Sequence, residues 1–486
     1  MIPILSSAAM RDADANAARG DVDSLVRQAG TAVALEAKRL LGRCYAQRVA
    51  VVAGPGLNGA DGRVAGAWLS SRGSHVDVID VADQPKTLSG YDLVIDAAFG
   101  LGCSREYHAP RVEGPTHVLA VDLPSGVDAD TGDVLGSPLV ATATIALGAL
   151  KAAHLCGPAT DYVGTLRFAG LGIVTSYDDG LMEDADLATL LTSHRHDHKW
   201  THAIQAFVGS PLMPGAAALV TGGALAGGAS MIRLSSFGEV AHLVALPPEV
   251  VMATDGQLDN RCRATVAGPG IGVTGIDWLE QQLREVTTPV VLDADGLDAG
   301  LIARRATNRP EWILTPHDGE YARLTGRVTP ANRFAAAREL ARRTRCVVLL
   351  KGPVTVVASP RGAIRVVNAG TPALATAGTG DVLAGLISAT VARGHDSLEA
   401  SALAAHLHGR AGANMSPYSP ASSLLPAVRE ILTDVHTRSD VGVRSSGPAL
   451  TKVRPRSPRY DGARQSSTAG PLPRVVTEER HHRQTR

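Results

Sequence analysis

The amino-acid sequence predicts an α/β protein of two domains, each built on a parallel β-sheet with helices over both faces. Three observations lead there. Short runs of Val, Ile, Leu and Ala are continuous instead of alternating with polar residues, as in strands covered on both sides. Most runs end in Gly- or Asp-rich turn chemistry, with helical stretches between several of them. A polar stretch at 176–202 without strand rhythm divides the runs into two series. The chain of 486 residues allows two to four domains at about 100–200 residues each. We place the domains at 1–190 and 191–437, with 438–486 as a separate tail.

The first forty residues carry Ala, Leu and Val at helical spacing, which predicts one or two helices ending near Gly42. RVAVVAGPG (48–56), HVDVIDV (75–81), DLVIDAAFG (92–100), HVLAVDLPSG (117–126) and ATIALGALK (143–151) read as strands of the first series. The second series reads AIQAFVGSP (203–211), EVAHLVAL (239–246), ATVAGPG (264–270), PVVLDADGL (289–297), WILTPHDGE (312–320), CVVLLKGP (346–353) and TVVASP (355–360). The loop GTPALATAGTGD (370–381) then leads into a helical, Ala-rich stretch to about His408. Beyond Thr437 the chain is rich in Arg, Ser, Pro and Gly and carries a local charge of about +7, which reads as a solvated, disordered tail.

Composition narrows the function. Aromatic residues make up 3% of the chain and the formal net charge is zero, so neither base stacking nor a general attraction for polyanions is expected. Nucleic acid is therefore not an expected partner. No run of 18 or more apolar residues occurs, and the N-terminal residues lack a basic segment followed by a long apolar one. A membrane is not an expected partner either. The cysteines (Cys44, Cys103, Cys156, Cys262, Cys346) are scattered and never paired as CxxC, which fits a reducing cytoplasm.

In the first series VVAGPGLNGADG sets a Gly-rich turn between a strand and a helix. Gly54, Gly56 and Gly59 satisfy GxGxxG, and Asp80 ends the next strand where a dinucleotide fold would hold ribose. Asn58 and Asp61 inside the turn do not belong to that fingerprint. Two more strand ends carry an acid, in DAAFGLG (96–102) and DLPSGVDADTG (122–132). Ligands of open parallel sheets collect at the carboxyl ends of strands, so Asn58, Asp96 and the Asp122/Ser125 pair would converge on one crevice. Oxygen ligands of this kind suit a hard cation, or a carboxylate poised for proton transfer. A single Asp after a strand is ordinary turn chemistry or helix capping; three such ends together point further.

GPGLNGADG resembles the GPGNNGGDG loop of the NAD(P)H-hydrate epimerases, and DAAFG and AVDLPSGVDADTG resemble that family in the same order. LVRQAG (25–30) resembles its early helical stretch. The resemblance implies a Rossmann-like three-layer α/β/α domain. It implies that Leu57, Asn58, Gly59, Ala60 and Asp61, with Gly100, Leu101, Gly102, Cys103, Ser104, Arg105 and Glu106, line the hydrated-nicotinamide site. It further implies that Asn58, Asp96 and Ser125 hold a potassium ion and that Asp122 is a substrate-contacting acid/base. Leu57 stands where the family has Asn, and Ala60 where it has Gly, so one polar contact is missing.

In the second series ATAGTGDVLAG (375–385) precedes an apolar helix. Gly378, Thr379 and Gly380 open backbone amides toward an anion at the helix start, and Asp381 sets a carboxylate beside it. That arrangement serves phosphoryl transfer, with the Asp taking a proton from a hydroxyl. Lys351 at a strand end suits phosphate contact. The ordered motifs GPGIG, LDADGL, TPHDGE, KGPVT and AGTGD resemble those of the dehydratase of NAD(P)H-hydrate repair proteins, a branch of the ribokinase-like superfamily. That resemblance implies a ribokinase-like α/β/α domain. It implies ADP as phosphoryl donor, with magnesium, held by Lys351, Gly352, Pro353, Val354, Thr355 and Gly380. Ala216, Gly272 and His317 would contact the hydrate and Asp381 would activate its hydroxyl. The expected partners are NADHX, NADPHX and ADP, and the expected state is a homo-oligomer. Lys199-Trp200-Thr201-His202, Thr371 and Ala373-Leu374 depart from the family pattern.

Other readings remain. A small-molecule kinase of thiazole or hydroxymethylpyrimidine type shares the Gly-x-Gly-Asp chemistry, and an epimerase-like domain can serve as a non-catalytic binding module. GxGxxG alone would suggest an NAD-dependent dehydrogenase. The His194, His196, His198 and His202 cluster reads as linker, lacking the cysteine or carboxylate partners of a closed zinc site.

Overall fold

The computed structural model describes residues 1–18, 21–174, 176–191, 194–253, 258–305, 311–440 and 451–452. Most of the tail assigned to 438–486 lies outside these residues.

The first domain opens with two helices, α1 (Ser7–Ala18) and α2 (Val22–Leu41), the latter N-capped by Asp21 and closed by Gly42. Its sheet strands are β2 (Arg48–Ala53), β3 (His75–Asp80), β4 (Leu93–Ala97), β5 (His117–Val121), β6 (Ala143–Leu147) and β7 (Thr165–Ala169), with β1 (Ile2–Ile4) leading the chain. They line up as β7-β6-β5-β4-β2-β3, all parallel. Helix α3 (Leu57–Ser70) follows β2. The chain runs outward from β2 to β3 and then returns to β4 on the other side. The carboxyl ends of β2 and β4 therefore flank the switch-point crevice.

Further strands are β8 (Asp179–Leu181), β9 (Ala203–Phe207), β10 (Met231–Ser235), β11 (Val250–Met252), β12 (Ala264–Ala267), β13 (Val290–Leu292), β14 (Trp312–Leu314), β15 (Val347–Leu350), β16 (Thr355–Ala358) and β17 (Ile364–Val367). The second sheet runs β1-β8-β17-β16-β15-β14-β13-β12-β9-β10-β11. Here the order reverses between β9 and β12, giving a second crevice beside Gly209 and Gly268. Alternate residues of each strand enter different cores. Val291, Ile313 and Leu349 pack toward α4 (Pro214–Ala226) and α9 (Thr379–Ala392), while Val290, Leu292, Leu314 and Leu350 pack toward Leu279 of α5 (Ile276–Leu283), Leu301 of α6 (Ala299–Arg304) and Phe334 and Leu340 of α8 (Arg333–Thr344). Continuous apolar runs in the sequence are what such two-sided burial requires.

Strands β1 and β8 belong to the second sheet, antiparallel to each other, although both lie inside the segment 1–190. Three further features differ from expectation. EVAHLVAL (239–246) is not a strand but a turn segment, and the edge of the sheet is built by Met231–Ser235 and Val250–Met252 on either side of it. The helical stretch continues past His408 as α10 (Ser397–Ala413), then α11 (Leu424–Asp440), whose Leu424, Val428, Ile431, Leu432 and Val435 face the core at helical spacing. Thr451–Lys452 pairs antiparallel with Arg167–Phe168.

Candidate active sites

The first crevice is a cavity of about 370 Å³ roofed by α1 and α2. Helix α3 begins at its wall because Gly56 ends the turn without a side-chain cap, leaving the first backbone amides of α3 open. Leu57, Asn58 and Asp61 line the cavity, Leu57 as an exposed apolar side chain. Gly59 does not line it, for a structural reason: a Cβ there would sit 2.0 Å from the Gly54 carbonyl oxygen, so only Gly lets the helix start this close to the turn. Ala60 is half-buried and does not line the cavity either. Gly100, Leu101 and Gly102 line it, whereas Cys103 is buried elsewhere and Ser104, Arg105 and Glu106 are exposed outside it.

Asp122 lies on the wall with φ of 61°, a left-handed conformation that an L-residue adopts at a cost. Its Oδ1 accepts from Lys151 Nζ at 2.5 Å and from Leu147 N at 3.1 Å. His154 Nε2 donates to the Asp122 carbonyl at 2.6 Å and His154 Nδ1 accepts from Lys151 N at 2.9 Å. A carbonyl can only accept, so these two bonds set a neutral tautomer. Burial, with Lys151 nearby, lowers the His154 pKa to about 4. Asp61 is pushed up to about 8 by burial and by the carboxylates of Asp122 and Asp14. The wall thus sets a carboxyl whose burial favours its protonated form beside one that is paired with a lysine.

Asp96 and Ser125 meet behind the wall. Ser125 Oγ donates to Asp96 Oδ1 at 2.6 Å and Ser125 N to Oδ2 at 2.9 Å. Asp96 is 1% exposed, and burial raises its pKa against those two bonds. The Asn58 amide has a buried atom, Nδ2, with no partner among the described residues. Asp80 takes no part: it caps Ala82 and pairs with Arg63 at 3.3 Å, so the dinucleotide fingerprint reading loses its ribose acid.

In the second crevice Gly378 caps α9 with φ of 90°, a conformation glycine adopts freely, and the chain enters the helix with Asp381 in its first turn. Asp293, 3% exposed at its side chain, accepts from Lys351 Nζ at 2.7 Å and from Thr315 Oγ1 at 2.7 Å. Glu320 lies 3.5 Å from the same ammonium. Gly380 abuts this group: a Cβ on it would come within 3.4 Å of Asp293 Oδ2. Burial raises Asp381 to about 7; Asp293, Asp295 and Glu320 add to the rise and Lys351 opposes it. His317 caps α7 (Asp318–Thr325), its Nδ1 accepting from Gly319 N and Glu320 N, which leaves the proton on Nε2, 3.6 Å from Glu320 Oε1. Gly272 N donates to Asp295 at 2.9 Å, and Ala216 packs against the Gly270 turn. Val354 is a core residue and Thr355 Oγ1 donates to Gly352 O at 3.3 Å, so this strand end offers backbone to a ligand.

A family model described as NAD(P)H-hydrate dehydratase matches residues 206–433, and one described as YjeF-related protein N-terminus matches 22–89 and 79–153. A bifunctional NAD(P)H-hydrate repair enzyme of Mycobacterium leprae is 34% identical over 449 residues, covering 84% of this chain and 93% of its own length. The chain belongs to the bifunctional NAD(P)H-hydrate repair family. Its member in Mycobacterium tuberculosis is 35% identical over 418 residues, covering 78% of this chain and 86% of the relative. A solved ADP/ATP-dependent NAD(P)H-hydrate dehydratase of Bacillus subtilis is 29% identical and covers 54% of this chain and 99% of that one, at a TM-score of 0.46.

Within the repair family's two crevices, three residues stand out that the sequence motifs did not single out. Lys151 ends the run ATIALGALK, and a lysine closing an apolar strand was the available signal. Asp293 sits inside LDADGL, and Asp14 lies one helical turn after Met10 on α1. Among the described residues no cluster of His, Cys, Asp and Glu has the arrangement of a metal centre, the His194–His202 group included. Nor is any described helix long and apolar enough to cross a membrane.

Proposed function

We propose that the chain repairs hydrated nicotinamide cofactors in two steps: interconversion of the (6R) and (6S) hydrates of NADH and NADPH in the first crevice, and ADP-dependent dehydration of the (6S) form in the second. The observation that carries the reading is Asp381, half-buried at the start of α9 with its pKa raised to about 7, beside the Lys351–Asp293 pair. A base of that pKa takes the proton of a hydroxyl at neutral pH. The hydroxyl oxygen attacks the terminal phosphorus of ADP, and AMP leaves. Inorganic phosphate then departs from that ester with the C–O bonding pair, and a neighbouring C–H proton passes to the departing phosphate, restoring the ring double bond. Gly380 and the open amides of α9 receive the phosphate charge. Lys351–Thr355 borders the nucleotide, and Ala216, Gly272 and His317 border the hydrate.

Two metals fit the residues present. Asp96 is buried with no basic partner among the described residues, and turning the Asn58 amide would place its oxygen at the orphaned position; Asn58, Asp96 and Ser125 would hold potassium, which would neutralise that carboxylate. Asp293, Glu320 and Asp381 outnumber Lys351, so magnesium bound with the nucleotide would balance charge there. In the first crevice Asp61 supplies a proton, and Asp122, aligned by Lys151, receives one. The five cysteines are buried thiols, consistent with a reducing cytoplasm.

The test supplies purified (6S) and (6R) hydrates with ADP or ATP and potassium, and follows the NADH absorbance band. Consumption of both epimers, lost in Asp381→Asn, is expected. Conversion of the (6S) form alone would show that Leu57 and Ala60 silence the first domain. A phosphorylated product without dehydration would favour a small-molecule kinase.

A further inference from the structure

We infer that Asp14, on the helical roof, is a further catalytic carboxyl of the first crevice, serving the ring face opposite the one that Asp122 and Lys151 serve. This rests on the epimerase reading above. Asp122 and Lys151 stand at the strand ends, with Asn58 and Asp61 at the start of α3 beside them; α1 and the first half of α2, which packs beside α3, supply the remaining helical lining. On those two helices the lining residues are Met10, Arg11, Asp14, Val22, Leu25, Val26 and Ala29, so among the described residues Asp14 is the one carboxyl they bring to the cavity. Met10 and Asp14, four apart, share a helix face, while Asp12 is exposed. Arg11 is drawn to the rim, donating to Leu101 O at 3.0 Å. Among the described residues Asp14 has no hydrogen-bond or ion-pair partner, although it is half-buried. Burial accordingly favours its neutral form, against the pull of Lys151.

Epimerisation of a hydroxyl on the ring carbon next to nitrogen needs water to leave from one face and return to the other. A carboxylic acid protonates the hydroxyl oxygen, the C–O bond breaks, and the nitrogen lone pair closes a C=N⁺ bond. Water then adds to the opposite face and gives its proton to a carboxylate there. No oxidant or further reactant is needed. With acids on one face only, water would leave and return on the same side, and the oxygen would exchange without inversion. A group on the roof supplies the second face.

The test measures two rates in oxygen-18 water, inversion of each purified epimer and label uptake into the recovered starting epimer. Full-length wild type, Asp14→Asn and Asp14→Glu are compared, with ADP-dependent dehydration of the (6S) hydrate as the folding control. We expect Asp14→Asn to slow inversion about a hundredfold or more. One epimer should still take up label with retention within about threefold of its wild-type rate, and Asp14→Glu should recover part of the inversion. Inversion that survives in Asp14→Asn overturns the inference, as does loss of inversion and exchange together. A wild type that inverts neither epimer above the spontaneous rate overturns the epimerase reading itself, and the inference with it.

Discussion

Lys151 and Asp122 form an ion pair almost sealed from solvent: Nζ of a lysine 1% exposed lies 2.5 Å from Oδ1, and the same ammonium donates to Leu147 O at 3.1 Å. The two residues are far apart in sequence and meet because adjacent parallel strands, β5 and β6, end side by side. Taking two charges out of water is expensive, and removing one partner leaves the other uncompensated. We expect Lys151→Met to cost about 3–5 kcal/mol of stability in the first domain. Epimerisation should be abolished while dehydration of the (6S) hydrate persists. Chemical denaturation with paired activity assays checks both; a variant with unchanged stability and epimerisation would show the pair to be ornamental.

Asp61 bears on stability in the opposite sense. Its folded pKa is raised from 3.8 to about 8, so the unfolded chain releases the proton more readily than the folded one. Stability therefore falls as pH rises from about 4 to about 8. Asp61→Asn removes that loss, and we expect it to gain a few kcal/mol at pH near 7 and little near pH 4. Thermal melts at the two pH values decide it. The variant should epimerise poorly, because the amide cannot donate an acidic proton.

Dehydration should follow the ionisation of Asp381. The base must be unprotonated, and with a pKa of about 7 the rate should drop roughly tenfold per pH unit below that value. A kcat/KM profile measured under saturating ADP checks the inflection. A flat profile down to pH near 5 would remove Asp381 from the role of base.

His408 holds the anion loop from behind. Buried in α10, it donates from Nε2 to Thr379 O at 3.0 Å, and burial keeps it neutral, with a pKa of about 4. His408→Leu removes the second hydrogen bond to the Thr379 carbonyl, which still accepts within the first turn of α9, and leaves a cavity beside it, at a cost of about 0.5–1.5 kcal/mol for the lost bond. We expect weaker ADP binding and a slower second step, with epimerisation unchanged. Calorimetric titration with ADP reads the first effect directly.

Much of the fold was legible because its cause is local. Runs such as RVAVVA and CVVLL are apolar on both faces of a strand, and their glycine and aspartate ends name the loops where ligands collect. Segments whose structure depends on distant partners were not legible. EVAHLVAL has strand-like composition but forms the turn between two edge strands. Ile2–Ile4 is too short to announce a strand and becomes one only because Asp179–Leu181 lies beside it. Helix α11 has a clear apolar periodicity that its polar, Arg-containing face obscured.

The sequence by itself determined the two α/β series, the glycine turns, and the acids Asp122 and Asp381 at their ends, because backbone reach and turn chemistry are properties of neighbours in the chain. Tertiary structure alone decided that Lys151 neutralises Asp122, that Asp293 engages Lys351, and that Asp14 comes over the first crevice from a helix more than a hundred residues away from Lys151. Which charges share a dry space is set by where strand ends and helices converge, and burial there, not residue type, determines which acid keeps its proton.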